Sequence, residues 1–346
     1  MLQTPFKLRA ALLLAAITLM SASCTRMPQQ LSLSGPTMGT GYTVKVANLP
    51  AGVSEPQVRG RIESVLARID RSMSGYRSDS EIARFNASSS TGWIEVSADL
   101  ASVVAAALRV SEQSEGVLDI TVAPLVDLWG FGPSGPRADV PSEQEISQAR
   151  SRVGFHKLQT RASPPALRKD EPAVTVDLNA VAPGYAVDLL ADELTKLGLA
   201  DFMIDIGGEV RVRGHNQRGR TWRIAVEKPV DGEPQPYAIL ELTDMAVTTS
   251  GEYRHYDVRA GRRFSHTIDP RTGRPIEHDL AAVVVVSSTA LDADAWATAL
   301  NVLGAEAGYA FAMHRQMPVM FLLQRDGHLV RRATSWFEPY LAEIPR

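Results

Sequence analysis

The chain contains a single cysteine among its 346 residues. An internal disulfide is therefore impossible, and so are zinc sites or iron–sulfur clusters built from four thiolates within one chain. It also lacks an excess of charge of either sign, with 36 Lys and Arg against 39 Asp and Glu and a formal net charge of -3. The broad basic face that tracks a phosphate backbone is not indicated, and no nucleic acid is expected as a partner. Repeats and low-complexity tracts are missing, and from Met38 onward no apolar run is long enough to span a membrane. What is present is a globular composition: 45% apolar, 22% charged, with 25 Gly and 21 Pro dispersed along the chain. Disordered, collagenous and coiled-coil classes are excluded. The length suffices for about two average domains or one large one.

The lone cysteine sits where a processing signal would put it. Lys7 and Arg9 precede an apolar run over residues 10–20, which at about 1.5 Å per residue crosses only about half of a roughly 30 Å hydrocarbon core. A basic flank, a short apolar stretch and the small residues Ser21-Ala22-Ser23 before Cys24 describe a secretory signal over residues 1–23. The arrangement resembles a bacterial lipobox, with Ser21 where Leu is usual. An ordinary secretory signal with an incidental thiol is the plainer alternative. Lipidation of Cys24 is the expectation, with residues 24–36 as a Ser-, Gln- and Pro-bearing tether and residues 37–346 as the folded body. The protein is then expected at the periplasmic face of the inner membrane, held by its lipid anchor.

Hydrophobic spacing orders the body. Tyr42, Val44 and Val46 alternate with polar residues as in a half-buried strand, while Val58, Ile62, Val65, Leu66 and Ile69 recur at helical spacing. Helices are further predicted over 78–86, 98–114, 142–153 and 185–197. Strands are predicted over 174–178, 201–206, 210–214, 222–226, 237–242, 245–249, 281–287 and 319–324. The fold class is α/β in the broad sense, a mixed α+β fold with an antiparallel component, since many strands follow one another between 201 and 287. The Gly/Pro stretch at 132–137 reads as a long internal loop and not as a linker between domains.

Several segments combine Gly-bearing turns with polar residues that packing alone does not require. In order they are Met38-Gly39-Thr40, residues 73–86, residues 116–132, residues 175–188, and residues 205–213. Beyond these come Thr249-Ser250-Gly251-Glu252-Tyr253, His266-Thr267-Ile268-Asp269-Pro270-Arg271-Thr272-Gly273 and Asp294-Ala295-Trp296-Ala297-Thr298. Each is weak alone, but the ordered set resembles the ApbE-like FAD:protein FMN transferases, from Met38 to about Gly304. The resemblance implies the ApbE-like fold and an enzyme that cleaves FAD (as substrate) with Mg²⁺, releases AMP, and joins FMN by a phosphoester to a Thr or Ser of a partner redox protein. Two other outcomes stay open for the same site: a Mg²⁺-dependent FAD pyrophosphatase yielding FMN and AMP, and a periplasmic flavin-binding lipoprotein without turnover.

Asp294 and Thr298 are four apart in a run without Pro or internal Gly, so both oxygens leave one helical face, and hard oxygen donors suit Mg²⁺. An exposed Asp near a helix start and a Thr bonded to its own turn is the plainer alternative. The resemblance makes the pair metal ligands together with the backbone carbonyl of Ala180. Residues 177–185 read as a strand entering a helix at Pro183-Gly184, whose free amides can face a diphosphate. There the family often has Lys or Glu where this chain has Pro183, so only backbone contact is expected at that position. Asp177 and Pro183 are expected beside the cofactor. Met38, Tyr76, Val117, Leu118, Asp119 and Ile268 match positions that contact FAD in similar proteins, although a Met and an aromatic are more commonly core residues. A buried Asp119 calls for a partner. Gly207-Gly208 permits a close backbone approach or simply a tight turn. His266 is the expected catalytic base, held by the turn that follows it, with a structural imidazole as the alternative.

Overall fold

A computed structural model describes residues 30–229, 235–251, 256–259 and 261–342. Chain order begins with β1 (Leu31–Thr37), β2 (Thr40–Val46), α1 (Glu55–Met73), α2 (Glu81–Ala87), β3 (Ile94–Glu95), α3 (Ala98–Gln113), α4 (Ala123–Leu128) and α5 (Glu143–Arg150). Next come β4 (Leu158–Ala162), β5 (Pro165–Lys169), α6 (Ala182–Lys196), β6 (Phe202–Ile206), β7 (Glu209–Arg213), β8 (Trp222–Glu227), β9 (Pro236–Leu242) and β10 (Ala246–Gly251). Last are β11 (Tyr256–Arg259), β12 (Arg262–Ser265), β13 (Ile268–Asp269), β14 (Arg274–Pro275), β15 (Leu280–Ser287), α7 (Ala290–His314), β16 (Val319–Arg325) and β17 (His328–Ala333).

Eight strands form one sheet in the order β1-β2-β6-β7-β10-β15-β16-β17, and each adjacent pair is antiparallel. Both faces of its central strands are buried. Along β15, Val283 and Val285 face a core shared with α1, α3, α6 and α7, whereas Ala282, Val284 and Val286 face a second core with the β8–β9 hairpin and Phe337. A strand covered on both sides reads as a continuous apolar run, as Ala281-Ala282-Val283-Val284-Val285-Val286 does. Each large apolar side chain so buried contributes about 2 kcal/mol. A third, smaller core packs Leu125, Trp129, Ile146, Phe264 and Ile268 beneath the loops at one end. There the Trp129 indole N–H donates to the Gly273 carbonyl at 2.8 Å and the buried Arg259 donates to the Trp129 carbonyl at 2.6 Å.

The mixed α+β expectation is met, and two boundaries change. Residues 31–36, expected as tether, belong to β1, which pairs with β2 from Leu31↔Val46 to Thr37↔Thr40. Leu33 on that strand is buried in the main core, a burial that a sparse pattern of Ser, Gly and Pro conceals. The strand expected over 174–178 does not form. Its backbone groups are satisfied by side chains and a loop carbonyl: Asn86 holds both polar groups of Val176, and the Asp177 N–H donates to the Ile120 carbonyl at 2.7 Å. Cys24 and the expected signal lie outside the described residues. Among the described residues no helix is long and apolar enough to cross a membrane.

Candidate active site

Two helix starts meet at the centre of the site. Gly184, in the first turn of α6, lies so close to the start of α7 that a Cβ there would stand 2.5 Å from the Ala290 carbonyl oxygen and 2.8 Å from Leu291 Cα. Only glycine permits this crossing. The contact is used chemically, because the Gly184 N–H donates to Asp294 Oδ2 at 3.0 Å. Gly184 is the third residue of α6 after the N-cap Val181, so its N–H is one of the helix-start donors that no carbonyl of its own helix satisfies. Among the described residues no hydrogen bond reaches the Ala180 carbonyl. Asp188 on α6 fixes the geometry by accepting from Ala290 N at 2.9 Å and Leu291 N at 3.0 Å, and it pairs with Arg211 on β7. Thr289 caps the same helix, accepting from Asp292 N at 3.2 Å.

The expected amide cradle at the start of α6 is not there. Ala182 N donates to Leu178 O, Pro183 has no N–H, Gly184 N serves Asp294 and Tyr185 N donates to Val181 O. A diphosphate finds no free donor in that turn. What the junction offers instead is oxygen: Asp294, the open Ala180 carbonyl, and Thr298 one helical turn beyond Asp294, half-buried. Glu209 adds a further carboxylate that the sequence reading did not single out. Burial, and then the charges of Asp294 and Asp205, hold its carboxyl well above the usual range. Burial likewise raises Asp294, with the Gly184 N–H opposing and the charge of Asp188 adding to the rise. Asp294 is buried and Thr298 half-buried, and such hard oxygen donors suit a divalent ion, while among the described residues no three His, Cys, Asp or Glu side chains group as a metal site by themselves.

Around this centre the walls come from distant segments. Met38 and Gly39 form the two-residue turn between β1 and β2, with φ of 48° and 74°, so Met38 occupies a left-handed conformation unusual for a side chain of its size. Gly207 and Gly208 form the equivalent turn between β6 and β7, the tight-turn alternative. A Cβ on Gly207 would meet Thr40 at 3.0 Å and Glu209 Oε2 at 3.3 Å, so the two turns and Glu209 are neighbours. Tyr76 is 65% exposed, its hydroxyl donating to the Phe131 carbonyl at 3.4 Å. Partial burial, and then the charges of Asp177 and Asp127, raise its hydroxyl pKa. Asp177 is raised by burial and accepts from Asn179 N at 2.8 Å. His266 is half-buried and follows β12 directly. The Thr267 N–H donates to Ser265 Oγ at 3.0 Å and its carbonyl accepts from Ile276 N at 3.0 Å, so the backbone beside the imidazole is held on both sides. Asp269 is engaged by the Arg271 side chain at 2.8 Å and by the Arg271 N–H at 2.9 Å, a role in the turn.

The remaining expected contacts turn inward. Val117 and Leu118 are buried in the main core and Ile268 in the small one, which leaves their backbones as the surface to present to a ligand. Asp119 needs no ligand to satisfy it. Its Oδ1 accepts from the Thr121 hydroxyl at 2.6 Å and Thr121 N at 2.8 Å, and Oδ2 accepts from Phe155 N at 2.7 Å. The expected partner is thus a threonine two residues on.

A family profile described as the ApbE family matches residues 38–321. The FAD:protein FMN transferase of Vibrio cholerae is 40% identical over 336 residues, spanning 97% of this chain and 100% of the relative. The solved structure of the flavin transferase ApbE from Vibrio cholerae superposes with a TM-score of 0.83 at 41% identity, covering 90% of this chain and 99% of that one. For the apo form of the Pseudomonas stutzeri flavinyl transferase ApbE the TM-score is 0.83 at 39% identity, with 91% and 98% covered.

Proposed function

The chain belongs to the ApbE family, and from that premise we propose that it is a Mg²⁺-dependent FAD:protein FMN transferase, exported and lipid-anchored. The observation that carries the reading is the bond from the Gly184 N–H to the buried Asp294 carboxylate where the starts of α6 and α7 cross, with Thr298 one turn further along α7. Asp294, Thr298 and the Ala180 carbonyl hold Mg²⁺, which when bound offsets charge on the FAD diphosphate and on the departing AMP. Tyr76 offers an exposed ring face at the rim to the flavin. An acceptor Thr or Ser hydroxyl attacks the phosphorus of the FMN half. A new O–P bond forms, the diphosphate P–O bond to AMP breaks, and the hydroxyl proton passes to His266.

The products decide between this reading and its neighbours. Incubation with FAD, Mg²⁺ and an acceptor peptide bearing one Thr is expected to add one FMN, less water, to the peptide by intact mass and to release AMP. Free FMN with AMP and unmodified peptide points to a hydrolase, and unchanged FAD to a binding protein. Cys24 is the proposed lipidation site, on the strength of its position after Ser21-Ala22-Ser23. Cys24→Ala is expected to move the protein from the membrane to the soluble fraction, and equal membrane recovery with no lipid mass on the parent protein contradicts that role.

A further inference from the structure

Lys169 is fully buried, yet among the described residues no carboxylate pairs with it. An ammonium group so placed must be held by dipoles. It is: Nζ donates to the Asn86 carbonyl at 3.2 Å and to the Val174 carbonyl at 3.1 Å, and it stands 5.2 Å from the centre of the Phe85 ring. The Asn86 side chain in turn donates from Nδ2 to the Val176 carbonyl at 2.9 Å and accepts at Oδ1 from Val176 N at 2.8 Å. Lysine and asparagine therefore grip alternate residues of one extended segment, 174–176, on which sheet pairing was expected and is missing.

That segment has a destination. Asp177 follows immediately, its N–H bound to the Ile120 carbonyl, and its carboxylate closes a turn by accepting from Asn179 N. Ala180, whose carbonyl stands open, is one residue further. No sheet ladder fixes the backbone on the approach to this carbonyl, although Val176, Leu178 and Val181 are buried in the core that the main sheet faces. Val176 is instead tied to the end of α2 and Val174 to the end of β5.

We propose that Asn86 and Lys169 are positioning residues that clamp segment 174–176 and thereby set the place of the Asp177–Ala180 turn in the cation site. The proposal rests on the metal reading of Ala180, but the clamp itself can be measured without it. Loss of a group bonded directly to a metal ligand commonly costs about 10- to 100-fold in metal affinity, and since Asn86 and Lys169 act on Ala180 through residues 174–176, the lower end of that range is expected.

Two variants test it in the full chain, Asn86→Ala at a half-buried position and Lys169→Met, which keeps the length of the side chain without its charge. Amide hydrogen exchange is followed peptide by peptide, and FAD binding is followed by calorimetry across a Mg²⁺ series, with thermal melts to establish folding. In a folded variant, the peptide spanning 174–182 is expected to exchange faster while the eight-stranded sheet keeps its protection. FAD affinity in EDTA is expected to stay within about 2-fold of the parent, while the Mg²⁺ needed to tighten it rises about 10-fold, and excess Mg²⁺ restores the parent affinity. Unchanged exchange at 174–182 in folded Asn86→Ala overturns the clamp, as does loss of protection spread evenly over the molecule. If FAD binding by the parent is indifferent to Mg²⁺, the metal reading fails, and the exchange result still decides whether these two residues hold the turn.

Discussion

His266 stands where a strand ends and a braced turn begins, with the backbone of Thr267 bonded to Ser265 on one side and Ile276 on the other. If it takes the acceptor proton, His266→Ala lowers single-turnover FMN transfer by roughly 10²- to 10⁴-fold while FAD affinity changes little. A variant that is folded and transfers at the parent rate removes the imidazole from the mechanism, and parallel loss of thermal stability and FAD binding marks a structural residue. Some of the site at this scale was legible in the sequence. The four-residue spacing of Asp294 and Thr298 places both on one helical turn, and α7 is helical across it. Asp119 was legible only as a buried carboxylate in need of a partner. That its partners are Thr121 and Phe155 depends on a short 3-10 turn over Ile120–Val122 and on a loop 36 residues away, and no local pattern carries the second. Glu209 was hidden for a similar reason: Gly207-Gly208 reads as a turn, but its carboxylate gains meaning only when β7 lies beside the start of α7.

Between elements, the crossing of α6 and α7 is the least tolerant contact in the site. Gly184→Ala forces a methyl group into the Ala290 backbone, and overpacking of this kind costs about 1–3 kcal/mol. Urea unfolding is expected to show that loss together with an increased Mg²⁺ requirement for transfer, since the Gly184–Asp294 bond lengthens as the helices separate. A stability equal to the parent's means that the helix starts can part without cost. Periodicity read α6, which presents an apolar face, whereas α7 is buried nearly all round from Ala290 to Val302 and was legible only as a run without Pro or internal Gly. The unpaired segment at 174–178 was misread for a physical reason. Val174 and Val176 are buried and alternate with Thr175 as in a strand, and the pattern records burial without saying whether a neighbouring strand or an asparagine side chain satisfies the backbone. β1 failed in the other direction, since Ser, Gly and Pro dominate it and only Leu33 on it is fully buried.

At the scale of the molecule, an antiparallel sheet whose central strands are buried on both faces supplies the base, with the turns at 38–39 and 207–208 and Glu209 on β7 beside one another, and the starts of α6 and α7 crossing at Gly184. The fold class was legible because strand and helix periods alternate over long stretches. The sheet order was not, since β2 pairs with β6 across about 160 residues, and only the folded chain brings them together. The central claim is that this convergence builds a cation site on which FAD is cleaved, with Asp294 as its protein anchor. The most direct measurement is single-turnover FMN transfer to a Thr-bearing peptide at saturating FAD across a Mg²⁺ series, for the parent and for Asp294→Ala shown to be folded by circular dichroism. The expected result is a parent rate that climbs to a plateau with Mg²⁺ and a variant that stays at background throughout; a variant that transfers at the full parent rate when Mg²⁺ is limiting contradicts the claim.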